Sequence, residues 1–126
     1  MYFRNNTNLK MIKMENTQNE TIAEGKNMAT IAYITIIGLI IAFVQNSEKK
    51  NAFVYFHLRQ SLGLFVTGLA LGIIGMIPIL GWIINILGIF VLIYMWIVGL
   101  INAINGKEKT VPLLGDKYEE WFNGIK

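Results

Sequence analysis

Charged residues are confined to three segments of this chain. Every Asp, Glu, Lys, Arg and His lies in residues 1–27, 46–60 or 107–126, which leaves 28–45 and 61–106 without any of these side chains. A stretch of about 18 or more apolar residues without charge is typical of a transmembrane helix. The composition agrees, with 54% hydrophobic and 15% charged residues and a mean hydropathy of +0.49. The sequence therefore predicts an all-α integral membrane protein.

Three transmembrane helices are predicted from the two apolar stretches. The first covers about 28–45. A cleaved signal peptide is the competing interpretation because Lys26 precedes the apolar run, but the following FVQNSEKK lacks a cleavage-site pattern and favours a retained anchor. The stretch 61–106 would be about 69 Å long as one helix, against a hydrocarbon core of about 30 Å. Pro78 and Gly81 mark a reversal within it. The second and third spans are therefore predicted at about 61–77 and 81–105.

The segments around this membrane domain, 28–106, are assigned from their residue patterns. Residues 1–27 are predicted to be a polar, flexible tail. Residues 51–60 are predicted to be an interfacial helix continuous with the second span. The C-terminal tail, 107–126, is expected to contain a short amphipathic helix at 116–125, capped by Asp116 and carrying an apolar stripe with acidic residues opposite.

Basic residues predict the orientation in the membrane. With three spans, the 46–60 loop and the C-terminal tail share one side and carry seven Lys and Arg residues, against four in the N-terminal tail. Because cytoplasmic loops are enriched in Lys and Arg, we expect a plasma-membrane (bacterial inner-membrane) protein with the N-terminus outside and the C-terminus inside. Translation could start at Met1 or at Met14, and the second start strengthens the asymmetry.

Three polar residues interrupt the aromatic and leucine-rich stretch Phe53–Leu64, namely His57, Arg59 and Gln60. An interfacial helix with an arginine anchor accounts for them, since Arg59 can reach phosphates while its stem stays in apolar surroundings. Alternatively, His57 and Gln60 line a polar entrance or bind a partner. Arg59 is expected to contact either lipid phosphate or the acidic pair Glu119 and Glu120 of the tail.

Small residues predict close packing of the second and third spans. Helix association in lipid depends on small side chains that let backbones approach, and on amides that bond across helices. The candidates form one stripe on each helix, which places Gly75 opposite Gly81 and Gly68 opposite Gly88. The predicted packing residues are Ser61, Gly68, Gly72, Gly75, Gly81, Asn85, Gly88 and Gly99.

Two stretches resemble a known family. FHLRQSLGL, and INAINGKEKTVPLLGDKYEEWF after the glycine-rich hairpin, are similar to segments of a family of small bacterial membrane proteins of unknown function. That family is related to the small multi-spanning Tic component of the chloroplast inner-envelope import machinery. The resemblance covers roughly residues 26–122. It implies a helical membrane protein connected with protein transport, although the chloroplast relatives have four spans and three are predicted here.

Several function classes are disfavoured by the residues present. The chain contains no cysteine and one histidine, so a thiolate metal site and a cysteine nucleophile are excluded, and we expect no cofactor. A net charge of +3 that is spread along the chain does not indicate nucleic-acid binding. We expect a non-enzymatic membrane component, an accessory or assembly factor, that contacts lipid and a membrane-protein partner or further copies of itself. The alternative is a small oligomeric transporter or channel, although no ionisable group lies within the predicted spans.

Overall fold

A computed structural model describes the backbone of residues 2–126 and the side chains of residues 7–126. The described residues form five helices and no strand. Two of the helices, α3 and α4, are long and apolar enough to cross a membrane. The helices are α1 (Tyr2–Ile34), α2 (Ile36–Lys49), α3 (Ala52–Ile74), α4 (Leu80–Ile104) and α5 (Gly115–Trp121).

The first predicted span, 28–45, is not one helix in the structure, because it is interrupted at Thr35. This residue is extended (φ −146°, ψ 165°), and its side-chain oxygen accepts a hydrogen bond from the Gly38 amide, so that it caps the N-terminus of α2. Gly38 packs against the carbonyl of Ile31, where a Cβ atom would collide with the oxygen. The cap and the missing side chain together allow a sharp reversal.

The contacts with α3 show that α1 and α2 run in opposite directions. Along α1, Thr21 bonds to Asn51 at the start of α3, and Ala32 bonds to Ser61 further along it. α2 then returns, and near its end Asn46 bonds to Asn51. Both ends of the apolar run therefore lie at the same end of the bundle. The predicted single span is therefore a pair of antiparallel helix segments, and the structure does not confirm a first span that separates the N-terminal segment from the 46–60 loop.

Helices α3 and α4 form the predicted hairpin, with its turn at residues 75–79. The second predicted helix, 61–77, is shorter at its C-terminus, because α3 ends at Ile74. α3 begins at Ala52 without a break, as predicted for a helix continuous with the 51–60 segment. Helices of 23 and 25 residues extend about 35 and 38 Å, enough to cross a hydrocarbon core of about 30 Å.

Both terminal segments differ from prediction. The N-terminal segment is helical from Tyr2 onward, as the first part of α1, because it contains many helix-forming residues and no proline, and its first glycine is Gly25. The C-terminal helix is shorter than 116–125, since α5 ends at Trp121 ahead of a glycine. Its N-cap is Leu114, and Asp116 lies in the first turn instead of capping the helix.

Two apolar clusters hold the bundle together. One joins α1, α3 and α4 to the tail and contains Tyr33, Phe53 and Met95 together with Tyr118 of α5. The other fills the space between α1, α2 and the first half of α3, around Leu58. The outer faces of α2, α3 and α4 remain covered with exposed Ile, Leu, Val and Phe side chains, a surface typical of contact with lipid.

Candidate functional site

His57 lies at the centre of a polar seam between α3 and the C-terminal tail. It is fully buried, and the rings of Tyr33, Phe53 and Phe56 surround it edge-on. Its Nε2 is 2.9 Å from the carbonyl oxygen of Lys107. Because a carbonyl only accepts, Nε2 carries the proton, and Nδ1 of the neutral ring accepts from the Tyr33 hydroxyl at 2.7 Å. His57 thus joins three segments of the chain, α1, α3 and the tail.

Gln60, one turn further along α3, holds the tail by its backbone. Its side-chain oxygen accepts from the Val111 amide at 2.8 Å, and its amide nitrogen donates to the Gly115 carbonyl at 2.9 Å. The same nitrogen donates to Oε2 of Glu119 at 2.7 Å. A buried amide with all of these partners fixes the path of the chain between α4 and α5.

Arg59 forms a salt bridge with the tail helix. Its Nε donates to Oε1 of Glu119 at 2.8 Å, and its Nη1 donates to the carbonyl of Ile125 at 2.8 Å. Glu119 is one of the two acidic residues predicted to meet it, and the other, Glu120, lies 3.5 Å from Lys117 instead. The guanidinium therefore fastens the end of the tail to α3.

Tyr118 supplies the apolar part of the same contact. Its ring is fully buried and packs directly on Gly63, where any Cβ atom would overlap the ring. Its hydroxyl is 2.5 Å from the hydroxyl of Thr67. Burial raises the pKa of Tyr118, an effect that the Thr67 hydrogen bond opposes, so the phenol is neutral when the tail is docked. Gly63 and Thr67, at positions i and i+4, thus form a socket for this side chain.

A C-terminal glycine motif on α4 directs the tail into the seam. Gly106 is left-handed (φ 70°), its amide donates to Ala103, and the amide of Lys107 donates back to Asn102. This pair of bonds is the Schellman motif, which favours glycine at the left-handed position. It places the Lys107 carbonyl within reach of His57, so the motif aligns the tail with α3.

Side chains from α3 and α4 satisfy the backbone groups at the break between α1 and α2. Ser61 donates to the carbonyl of Ala32 at 2.5 Å, and the indole N–H of Trp96 donates to the carbonyl of Tyr33 at 2.6 Å. These carbonyls belong to the last turn of α1 and have no partner within the helix. Unpaired backbone groups are costly in lipid, so these bonds stabilise the break.

The predicted packing glycines meet large side chains instead of one another. Leu71 of α3 packs on Gly88, and Leu92 of α4 lies next to Gly68, a register about one turn away from the predicted Gly68–Gly88 pair. At the turn, Gly75 accommodates the side chain of Asn85. The remaining predicted positions also differ in their surroundings: Gly72 has open space around it, Gly81 packs on the carbonyl of Ile74, and Gly99 packs on the ring of Tyr33.

The polar side chains of the seam hold the tail against α3. All three predicted residues, His57, Arg59 and Gln60, contact the tail. Among the described residues, every buried side-chain polar atom has a hydrogen-bond partner. The same residues include no group of three His, Cys, Asp or Glu side chains placed to hold a metal ion. These contacts fix α5 against α3, so that the two helices form one continuous surface.

Residue patterns missed several groups that shape this site. Tyr33 and Trp96 are common residue types in membrane helices, and nothing local distinguishes them; Thr35 followed by Gly38 gives only a weak local sign of an N-cap. Gly63 carries a weak signal, because it lies four residues before Thr67 on the face that includes Arg59 and Gln60. Its role depends on Tyr118, which is 55 positions away.

Comparisons with known proteins identify relatives of this chain. Residues 24–116 match the Magnetosome magnetite crystal formation protein family. A UPF0132 membrane protein of Methanocaldococcus jannaschii is 37% identical in an alignment of 91 residues that covers 69% of this chain. The chain spans about three fifths of the length of that relative, 61%. No solved structure matches. Neither of the two matches is a Tic component, so the connection with import machinery stays a prediction.

Proposed function

The chain belongs to the Magnetosome magnetite crystal formation protein family, and we propose that it is an integral membrane component that acts by binding other membrane molecules and not by catalysis. One observation carries this proposal. The three polar residues of α3 that could have formed a reactive site, His57, Arg59 and Gln60, all bond to the chain's own tail. In place of a reactive group, the protein presents a fixed surface at its charged end.

We further propose that α1 and α2 enter the membrane and leave it on the same side. The reversal at Thr35 lies beside Ser61, and α3 continues 13 residues beyond that position to Ile74. At 1.5 Å per residue, the remaining part of α3 is about 20 Å long, so the α1–α2 hairpin reaches only part of the way across. Two helices, α3 and α4, would then complete the crossing.

This arrangement also explains why the charges are segregated. It places all three charged segments at one end of the bundle, where Lys26 approaches Gly106 and His57 meets Lys107. All 11 Lys and Arg residues are then on one side, and the residues of the α3–α4 turn carry no charge. Because basic residues accumulate on the cytoplasmic side, we propose that both termini are cytoplasmic. This proposal replaces the predicted external N-terminus.

Copurification from native membranes in a mild detergent, read by mass spectrometry, tests the binding role. The full chain should recover discrete membrane-protein partners. A Gly63→Ala variant, which displaces α5, should lose partners that bind the α3–α5 surface, whereas the matched Gly72→Ala variant should keep them because no atom lies near that position. Partners belonging to a secretion apparatus would support the transport link that the resemblance implies.

Recovery of homo-oligomers alone would contradict the accessory role and favour the small transporter or channel. Catalytic turnover by the purified protein that survives complete removal of partners would overturn the proposal outright. The family description concerns crystal formation in magnetosomes, and from it we propose only the membrane setting for this chain.

A further inference from the structure

A cavity opens at the charged end of the bundle, where α1, α2 and α3 meet. Its volume is about 600 Å³, and it is lined by Glu24 of α1, Lys49 and Lys50 at the end of α2, and two asparagines. The asparagines are Asn46 and Asn51, which bond to each other and to Thr21 and Val54. They therefore form rigid walls, and the charged side chains remain available for a ligand.

The charges around this cavity have opposite signs. Glu24 and the two lysines are exposed, and the salt bridges within the described part of the chain, Arg59–Glu119 and Lys117–Glu120, involve none of them. A simple anion would be repelled by Glu24, and a simple cation by the lysines. A ligand that carries a phosphate and an ammonium group a few ångströms apart satisfies both signs at once.

The end of α2 adds a second attraction for an ammonium group. The last carbonyl groups of a helix have no partner within it and carry the negative end of the helix dipole. α2 ends at Lys49, and Lys50 turns the chain away in the left-handed conformation (φ 51°). The final carbonyls of α2 therefore face the charged end of the bundle, close to the cavity.

An apolar groove lies between α2 and α3. It has a volume of about 320 Å³ and is lined almost entirely by apolar side chains, including Leu39, Phe43 and Leu62. Phe43 of the groove and Asn46 of the cavity are one turn apart on α2, and Leu58 of the groove and Val54 of the cavity are one turn apart on α3. Residues three or four positions apart share a helix face, so the groove leads towards the cavity along both helices. A charged cavity and an apolar groove in this arrangement correspond to the headgroup and acyl chain of one lipid.

We propose that the charged cavity and the apolar groove together bind one phospholipid with a primary-amine headgroup, of the phosphoethanolamine class. Lys49 and Lys50 contact the phosphate, Glu24 and the end of α2 contact the ammonium, and one acyl chain follows the groove between α2 and α3. A choline headgroup fits less well because its quaternary nitrogen cannot donate hydrogen bonds to Glu24. The site rests on the proposed placement of the hairpin in the membrane, but its test in detergent does not depend on which way the chain faces.

Native mass spectrometry of the delipidated full-length chain, titrated with defined lipids, tests the proposal. Phosphatidylethanolamine should bind more tightly than phosphatidylcholine or phosphatidylglycerol with the same acyl chains. The double variant Lys49→Ala/Lys50→Ala should weaken its binding roughly 30-fold, which corresponds to about 1 kcal/mol for each lysine near a lipid surface. The matched variant Lys10→Ala/Lys13→Ala changes the charge equally, away from the cavity, and should have little effect.

Glu24→Gln distinguishes the headgroup classes. It should weaken phosphatidylethanolamine binding and leave phosphatidylglycerol binding unchanged or stronger, whereas Glu20→Gln should do neither. Soluble phosphoethanolamine distinguishes a headgroup pocket from a lipid site, and it should bind far more weakly than the whole lipid. Equal binding of the three lipids, tighter binding of phosphatidylglycerol, or soluble phosphoethanolamine binding as tightly as the lipid would each overturn the proposal.

Discussion

Replacement of Gly63 by alanine should release the C-terminal helix from α3. The added Cβ atom would overlap the ring of Tyr118, which is fully buried and cannot move outward without losing its contacts. A tyrosine side chain buries about 150–250 Å², worth about 4–6 kcal/mol at 25 cal/mol per Å². That is an upper limit, because the displaced ring keeps part of its contacts.

Loss of half of that amount, about 2–3 kcal/mol, would raise the population of undocked tail roughly 30- to 160-fold. Limited trypsin digestion in detergent measures this population, because Lys117 lies on α5 and is cleaved faster when the helix is released. Gly72→Ala is the matched control on the same helix, with no atom within 4 Å of the added carbon, and should digest like the parent. If Gly63→Ala digests no faster than Gly72→Ala, the proposed socket for Tyr118 does not hold the tail.

Three further substitutions test other parts of the fold, each by thermal unfolding in the same detergent. Gly106→Ala should destabilise by about 1–2 kcal/mol because it forces a left-handed alanine, whereas Gly124→Ala should be neutral, and equal effects would refute the Schellman motif. Arg59→Ala should lower the free energy of unfolding by about 1–3 kcal/mol, because the salt bridge that it removes is partly buried. Lys117→Ala removes an exposed ion pair and should change the stability very little. A larger loss for Lys117→Ala than for Arg59→Ala would contradict the docked tail. Thr35→Val keeps the shape but removes the cap, so a loss of about 1 kcal/mol is expected, and an unchanged stability would show that the cap is dispensable.

The α3–α4 hairpin could be predicted closely from sequence because its signals are local. The uncharged stretch 61–106 is too long to cross the membrane once, so the chain must reverse within it, and Pro78 and Gly81 mark the position of the reversal. The packing register of α3 against α4 was harder to predict from the sequence. Glycines mark where helices approach, but the side chains that fill the gaps, such as Leu71 on Gly88, follow from packing between residues far apart in the chain.

The break at Thr35 could not be predicted from hydropathy. An uncharged run of 18 residues has the same composition whether it crosses the bilayer or turns back within it. Thr35 followed by Gly38 is a local sign of an N-cap, but threonine is also ordinary inside membrane helices. The break is decided by bonds from Ser61 and Trp96 to the end of α1, residues 26 and 61 positions further along the chain than Thr35.

The seam was predicted in outline because its polar residues stand out in apolar surroundings. His57, Arg59 and Gln60 were recognisable from sequence, and Glu119 was among the partners predicted for Arg59. The bonds from His57 and Gln60 to backbone atoms of the tail were not, because backbone groups carry no residue-specific signal. Their positions depend on the direction in which the Schellman motif at Gly106 sends the chain.

In the proposed topology, the N-terminal and C-terminal segments lie on the same side of the membrane. Because the chain has no cysteine, single cysteines introduced at Glu20, Met76 and Glu120 can be labelled with a membrane-impermeant maleimide in intact and permeabilised cells. The cysteines at 20 and 120 should react only after permeabilisation, and the cysteine at 76, in the α3–α4 turn, should react in intact cells. Labelling of position 20 in intact cells while position 120 is protected would restore a full first span and contradict the hairpin of α1 and α2.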